Sequence, residues 1–211
     1  MRHLYIAYIK RFLGFVLALA GILVLALVMA VIAVWIRVDS EGPVFFRQKR
    51  IGAGESEFMI LKFRTMHTDA PKDMPTHLLE DPDAMITRAG RFLRKSSLDE
   101  LPQLFNILKG EMSIVGPRPA LWNQYDLIEA RRQQVCGGKS VNDLRPGITG
   151  WAQVNGRDEL PIDVKAAYDG EYLRRAGFFF DLKCLLLTVK TVVCREGFAE
   201  GKQTGEPEKD K

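Results

Sequence analysis

Two adjacent carboxylates, Asp99 and Glu100, stand in the run Ser97-Leu98-Asp99-Glu100-Leu101-Pro102-Gln103-Leu104. Ser97 with Glu100 three residues on is a capping-box pattern, which predicts a helix beginning at Ser97 with Pro102 in its early turns. Acidic residues are common in a first helical turn, where the macrodipole favours negative charge. The chemical reading comes from the neighbours. Arg88, Arg91 and Arg94 lie just upstream, on one face of a helix predicted from Thr87 to Arg94. A carboxylate beside arginines and a divalent metal stays ionised at neutral pH and can attack a phosphorus centre.

Two more stretches point to phosphate. In Val115-Gly116-Pro117-Arg118-Pro119 the prolines fix the backbone on both sides of Arg118, so its guanidinium is presented at low entropic cost. That suits bidentate phosphate recognition. Arg145-Pro146-Gly147-Ile148-Thr149-Gly150-Trp151-Ala152-Gln153-Val154-Asn155-Gly156-Arg157 offers two arginines and glycines that allow close backbone approach. Each stretch alone also reads as a plain turn with a surface arginine. Other chemistries lack their residues. There is no phosphate loop, no dinucleotide fingerprint, no His-Glu-x-x-His and no Gly-x-Ser-x-Gly. Asp81-Pro82-Asp83 sits in a polar stretch and reads as solvated loop.

The elements that position these residues begin with a membrane segment. The chain has 211 residues and 47% hydrophobics, yet from Phe12 to Ile36 there is no charged side chain. As a helix that run is ~37 Å long, enough to insert in a hydrocarbon core ~30 Å thick. It is too long for a signal peptide and no cleavage site follows it. Arg2, Lys10 and Arg11 precede it, and Arg37, Arg47, Lys49 and Arg50 follow it, so charge draws both ends toward the cytoplasm. A helix that enters and returns through one leaflet satisfies that. No Pro before Pro43 breaks it, however.

Beyond the segment, residues 44–48 and 58–64 predict a β-hairpin around Gly52 and Gly54. Leu101, Leu104, Phe105 and Leu108 form an apolar stripe ending at Lys109-Gly110. Further helices are expected over 122–134, 163–175 and 180–195. The last is apolar but interrupted by charge, so it fits the membrane interface or a packed core equally. Residues 144–157 read as loop and residues 199–211 as a disordered tail. Cys136, Cys184 and Cys194 have no Cys-x-x-Cys spacing and fit thiols in a reducing compartment. Collagen-like, disulfide-framework and wholly disordered classes are excluded by composition. The net charge of +4 is modest, and its placement beside the apolar run points to phosphates or lipid headgroups rather than nucleic acid.

Five stretches occur in order: Lys62-Phe63-Arg64-Thr65-Met66, the Ser97 to Asn106 run, Lys109-Gly110-Glu111-Met112-Ser113, the Pro117-Arg118-Pro119 bracket and the Arg145 to Gln153 run. Together they resemble the bacterial sugar transferase family, the small monotopic polyprenyl-phosphate phosphoglycosyl transferases. The resemblance covers Lys10 to Arg195. It implies an α/β fold, mostly helical with a small hairpin or sheet. A membrane-inserted helix (1–38), re-entrant in the family, precedes a cytoplasmic transferase domain (39–198) and the tail (199–211). It also implies an enzyme that moves a phosphosugar from a UDP-sugar to polyprenyl (undecaprenyl) phosphate, releasing UMP, at the first membrane step of glycoconjugate assembly.

Residue by residue, the family's Asp–Glu dyad falls on Asp99 and Glu100. Asp99 is then the nucleophile and, with Mg2+, the metal-side carboxylate. Lys62, Arg94, Pro117, Arg118, Pro119, Arg145, Arg157 and Asp169 match substrate-side positions, Asp169 through the Asp-x-x-Tyr pattern that ends at Tyr172. The resemblance places the protein at the bacterial inner membrane with its catalytic domain on the cytoplasmic face, and membrane lipid and downstream glycosyltransferases are its expected partners. It names neither the sugar nor the oligomeric state. No domain with extra spans is expected ahead of the segment, as in the minimal form of the family. Two departures bear on topology. Ala26-Leu27 stand where members carry Ser-Pro, and Gly14 where Asp is usual. Two other readings stay open: direct attack by lipid phosphate without a covalent step, and a non-catalytic membrane-tethered module that docks anionic lipid or a partner.

Overall fold

The computed structural model describes residues 4–71, 82–156 and 160–194. Arg157, Asp81 and the tail beyond 198 fall outside the described residues. An unbroken apolar helix runs from Tyr5 to Asp39. Its first turns, Tyr5–Ile9, are wound wide, and α1 proper is Lys10–Asp39. Nothing in the sequence ends it before Ser40, which turns extended, and Gly42 at φ +119° completes the exit. The helix continues through Ala26-Leu27 without a break.

α1 lies along the rest of the chain over its whole length. A Cβ added at Gly14 would lie 3.7 Å from Ile107, and one at Gly21 would lie 3.3 Å from Leu104. Ala18 is fully buried on Ile107, while Met29, Ile32 and Ile36 pack on Phe63 and Leu93. These positions form one stripe at helical spacing, with small residues where the backbones approach and large ones further on. Leu23, Val24, Leu27, Val31, Val34 and Val38 face outward. Most of its apolar surface is left uncovered by the rest of the protein.

Both ends of α1 are fastened. At its close, the buried Arg64 donates to the Ser40 carbonyl (2.7 Å) and hydroxyl (2.9 Å) and to the Glu41 carbonyl. At its start, Tyr5 Oη donates to Asp181 at 2.7 Å, and Lys10 Nζ pairs with the same carboxylate at 2.8 Å. Tyr172 Oη donates to the other Asp181 oxygen at 2.6 Å and accepts from Lys10. Tyr172 belongs to a helix over Ile162–Arg175 and Asp181 to one over Phe178–Cys194. A buried charge is tolerable only when paired and hydrogen-bonded, and this cluster supplies both conditions.

The hairpin forms as expected. β1 (Phe45–Ile51) pairs antiparallel with β2 (Glu57–Phe63), from Phe45↔Phe63 to Ile51↔Glu57, around Gly54 at φ +63°. α2 (Arg88–Ser96) is capped by Thr87, whose side chain accepts from the Gly90 N–H, and by Asp39 of α1, which accepts from the Ala89 N–H. The predicted helix at Ser97 is corrected. Ser97 adopts the left-handed conformation (φ +57°) and closes α2 through its own N–H, without a capping box. Leu98–Glu100 is a tight 3-10 turn, and α3 begins only at Gln103, running to Lys109.

Beyond α3, β3 (Ser113–Val115) pairs in parallel with β4 (Gly147–Thr149), so the expected loop over 144–157 contains a strand and a helical turn, Trp151–Val154. α4 (Tyr125–Arg132) is shorter than the polar pattern implied, and α5 is Ile162–Arg175. α6 (Phe178–Cys194) has two characters. Phe180 and Cys184 are buried, while Phe178, Phe179, Leu182, Leu186 and Val189 are exposed. The molecule is thus mostly helical with small two-stranded sheets.

Gly90 sets how closely α2 approaches the end of β2. A Cβ there would lie 1.9 Å from the Thr65 carbonyl oxygen, which itself accepts from the Thr87 N–H. Backbone against backbone cannot give way. Gly90→Ala is expected to destabilise by about 1–3 kcal/mol despite alanine's better helix propensity. Unfolding of the detergent-solubilised variant measures this; equal or higher stability would contradict the packing.

Candidate active site

The dyad lies where three segments converge. β2 supplies Lys62, the turn after α2 supplies Asp99 and Glu100, and the Pro117-Arg118-Pro119 bracket supplies Arg118. Glu100 takes both cations: Lys62 Nζ donates to Oε1 at 2.8 Å and Arg118 to the same oxygen at 3.2 Å. Asp99 is left with the longer contact to Lys62, at 3.9 Å. Asp99 and Glu100 are 13% and 18% exposed, so both are screened from bulk water but still reachable.

Each part of this arrangement has a local cause. Asn106 of α3 is buried, accepts from the Leu61 N–H at 3.0 Å and donates to the Met59 carbonyl at 2.8 Å, which clamps α3 to β2. Strand alternation then sends Phe63 into the core and leaves Lys62 toward the dyad. The bracket works as its prolines imply. Pro117 and Pro119 are buried; the Pro117 carbonyl accepts from the Gly147 N–H at 2.9 Å, and the Pro119 carbonyl from Arg50 at 2.9 Å. Arg118 stands half-buried between two fixed points. Arg94, in the last turn of α2, donates from Nε to the Thr65 hydroxyl at 3.0 Å, and its charge acts on Asp99. Arg88 and Arg91 are exposed.

The two carboxyls are pushed apart electrostatically. Burial raises the Asp99 pKa and the charge of Glu100 adds to that, against the pull of Lys62, Arg94 and Arg118. Burial works in the same direction on Glu100, but Lys62 and Arg118 outweigh it and bring the group down to about 2. Glu100 is therefore the fixed anion that holds the cations. Asp99 is the more basic oxygen donor, which is what a nucleophile requires.

Not every predicted position joins this cluster. Asp169 is fully buried and bound by Arg131, Nε to Oδ2 at 2.8 Å, which ties α5 to α4. Arg145 donates to the Gly110 carbonyl at the far end of α3. Arg157 lies outside the described residues. Sequence reasoning assigned no role to Thr65, Asn106 or Arg64. The signal for Thr65 and Arg64 was their place in the Lys62 to Met66 run, whereas Asn106 gave none beyond a polar residue within an apolar stripe.

The sequence profile of the family described as bacterial sugar transferase matches residues 5–195. The chain belongs to the bacterial sugar transferase family. It is 44% identical over 168 residues to a protein named uncharacterized sugar transferase EpsL from Bacillus subtilis (strain 168), covering 78% of this chain and 77% of that one. It is 41% identical to the UDP-glucose:undecaprenyl-phosphate glucose-1-phosphate transferase of Xanthomonas campestris pv. campestris, over 84% of this chain and 37% of that protein. To the UDP-N-acetylgalactosamine-undecaprenyl-phosphate N-acetylgalactosaminephosphotransferase of Aeromonas hydrophila it is 34% identical, over 89% and 44%. This sugar transferase chain thus spans less than half the length of the latter two relatives.

The Glu100 linkage predicts an acid limb in stability. The folded value of about 2 lies below the ordinary 4.5, so the stabilisation is complete above pH 4.5 and is lost as pH falls toward 2. It amounts to at most about 3 kcal/mol. Glu100→Gln is expected to be less stable than wild type at neutral pH, with the gap closing between pH 4.5 and 2 in denaturant titrations. A gap independent of pH would remove the assignment.

Proposed function

We propose that this chain transfers a phosphosugar from a UDP-sugar to polyprenyl phosphate, giving polyprenyl-diphospho-sugar and UMP. The observation that carries the reading is the division of labour in the dyad: Glu100 is occupied by Lys62 and Arg118, and the neighbouring Asp99 is raised in pKa and reachable. The printed names of the Xanthomonas and Aeromonas relatives describe transfers of this class.

In the first step an Asp99 carboxylate oxygen attacks the β-phosphorus of the UDP-sugar. The bond from that phosphorus to the bridging oxygen breaks, and UMP leaves with the electron pair. The phosphosugar is then held on Asp99 as an acyl phosphate. In the second step a phosphate oxygen of polyprenyl phosphate attacks the same phosphorus and Asp99 is released. Arg94 and Arg118 orient the phosphates and stabilise the charge that develops on them. Glu100 keeps Lys62 and Arg118 in place without competing for phosphorus.

A divalent cation such as Mg2+ fits this donor set in one way. Among the described residues no group of three or more His, Cys, Asp or Glu side chains converges, so Asp99 would share the ion with the substrate's phosphate oxygens. Bound there, the ion supplies charge neutralisation of the diphosphate.

We also infer that α1 lies in the cytoplasmic leaflet of the bacterial inner membrane with both of its ends on the side of the catalytic domain. As a straight helix of 35 residues it is ~52 Å long, beyond the ~30 Å of a hydrocarbon core. Supporting this, the domain packs along its full length, and the Lys10–Asp181 and Arg64–Ser40 contacts fasten its two ends to the same body. The family reaches this outcome by a proline break. Here the packing serves instead. The exposed stripe of α6 adjoins it, with Phe178 edge-on to Tyr5 at 6.2 Å, and extends the lipid-facing surface.

Two experiments test these readings. Wild-type protein in detergent, given a panel of UDP-sugars with polyprenyl phosphate and Mg2+, is expected to release UMP from at least one. Asp99→Asn should lower turnover by several orders of magnitude and leave no phosphosugar adduct on intact-protein mass spectrometry. Near-normal turnover would rule out Asp99 as nucleophile. For topology, His3→Cys in a background without Cys136 and Cys194 should resist a membrane-impermeant thiol reagent applied to intact cells. Labelling from outside would mean a full span.

A further inference from the structure

A group of cations stands at the end of α3 opposite the dyad. Arg145 Nε donates to the Gly110 carbonyl at 3.1 Å, and a Cβ placed on Gly110 would lie 3.3 Å from the Arg11 guanidinium. Gly110 closes α3 in the left-handed region (φ +81°), and Lys109 in its last turn is exposed. Carbonyls at a helix end favour a cation, and that accounts for Arg145. It does not account for Arg11. The Gly110 carbonyl is already used, and Arg11 makes no hydrogen bond or ion pair among the described residues. The nearest acid in sequence, Glu111, accepts instead from the Asn106 amide at 2.7 Å. Burial and the charge of Arg11 both lower the Arg145 pKa, so the two guanidinium groups repel each other. Like charges held together without a carboxylate are eased by an anion between them.

The position of the pair indicates which kind of anion. Arg11 is the last charged residue before the apolar run of α1, and Phe12, Phe15, Val16 and Leu19 just beyond it face outward. An anion seated here has an uncovered apolar helix face beside it. Paired guanidinium groups match the oxygens of a phosphate. We propose that Arg11 and Arg145 form a binding site for the phosphate of an anionic membrane phospholipid, whose acyl chains lie along the outward face of α1. The acceptor lipid is a poor occupant, because α3 alone separates this site from the dyad by ~10 Å. Its phosphate could not reach Asp99 from there. The site would instead hold the start of α1 at headgroup depth. This inference rests on the membrane placement proposed for α1.

The test uses the full chain in mild detergent, titrated with phosphatidylglycerol and followed by native mass spectrometry. One phosphatidylglycerol is expected to be retained, and a phosphate-free diacylglycerol is not. Arg11→Ala, at an exposed position, and Arg145→Lys, which keeps a cation at the Gly110 carbonyl, should each weaken retention by about tenfold or more. Retention unchanged in both variants would overturn the site. Displacement by millimolar inorganic phosphate would show a free-anion site, and displacement by equimolar polyprenyl phosphate an acceptor site; either result overturns the phospholipid assignment. Failure of the wild type to release UMP from any UDP-sugar would sink the transferase reading and leave this measurement standing.

Discussion

The fold depends on what α1 can be packed against. An apolar helix of 35 residues presents more hydrophobic surface than the rest of the chain covers, so one stripe is packed and the remainder is left open. That stripe organises much of the remaining fold. Ile107 and Leu104 of α3 fill the gaps left by Gly14, Ala18 and Gly21, while Phe63 and Leu93 meet Met29, Ile32 and Ile36. The same contacts set β2, α2 and α3 side by side. The dyad turn, caught between α2 and α3, and Lys62 near the end of β2 then have little freedom in where they fall.

Within that frame the site works by separating two chemically similar groups. Asp99 and Glu100 are neighbours in sequence with nearly equal exposure, yet they receive opposite treatment. The 3-10 turn after Ser97 directs Glu100 between Lys62 and Arg118 and leaves Asp99 at the edge of their influence. A regular helix begun at Ser97 would set its side chains at a different rotation and would not reproduce this split. The left-handed Ser97 therefore bears directly on the site, because it ends α2 early enough for the turn to form.

Much of this was legible in the sequence, and the failures have physical causes. α1, the hairpin and α2 declare themselves through an uncharged run, Gly-punctuated strand patterns and a Thr cap. The dyad, Lys62, Arg94 and Arg118 were legible as members of ordered motifs, and the structure brings Lys62 and Arg118 onto one carboxylate. The start of α3 was misplaced because Ser-x-x-Glu fits a capping box as well as it fits a left-handed stop followed by a tight turn. Arg145 reads as a phosphate ligand in either place, but its sequence neighbours do not reveal that β4 carries it to the far end of α3. Asp169 sits in a familiar pattern yet serves a buried pair with Arg131, a partner 38 positions away. Pairings of that range depend on tertiary packing, which local periodicity does not encode.

The fastening at the start of α1 has a consequence for biogenesis. Tyr5 and Lys10 are made well before Asp181, which satisfies both and lies 176 positions after Tyr5. During synthesis the apolar helix emerges long before its partner exists. Until α6 is translated, the Lys10 ammonium has no Asp181 to pair with, and on the membrane placement proposed for α1 it stays in water or among headgroups at the surface it came from. Closure of the Asp181 cluster is then a late event in folding, dominated by a very long-range contact. On the membrane placement proposed for α1, the order of synthesis therefore favours the side of the catalytic domain for both of its ends.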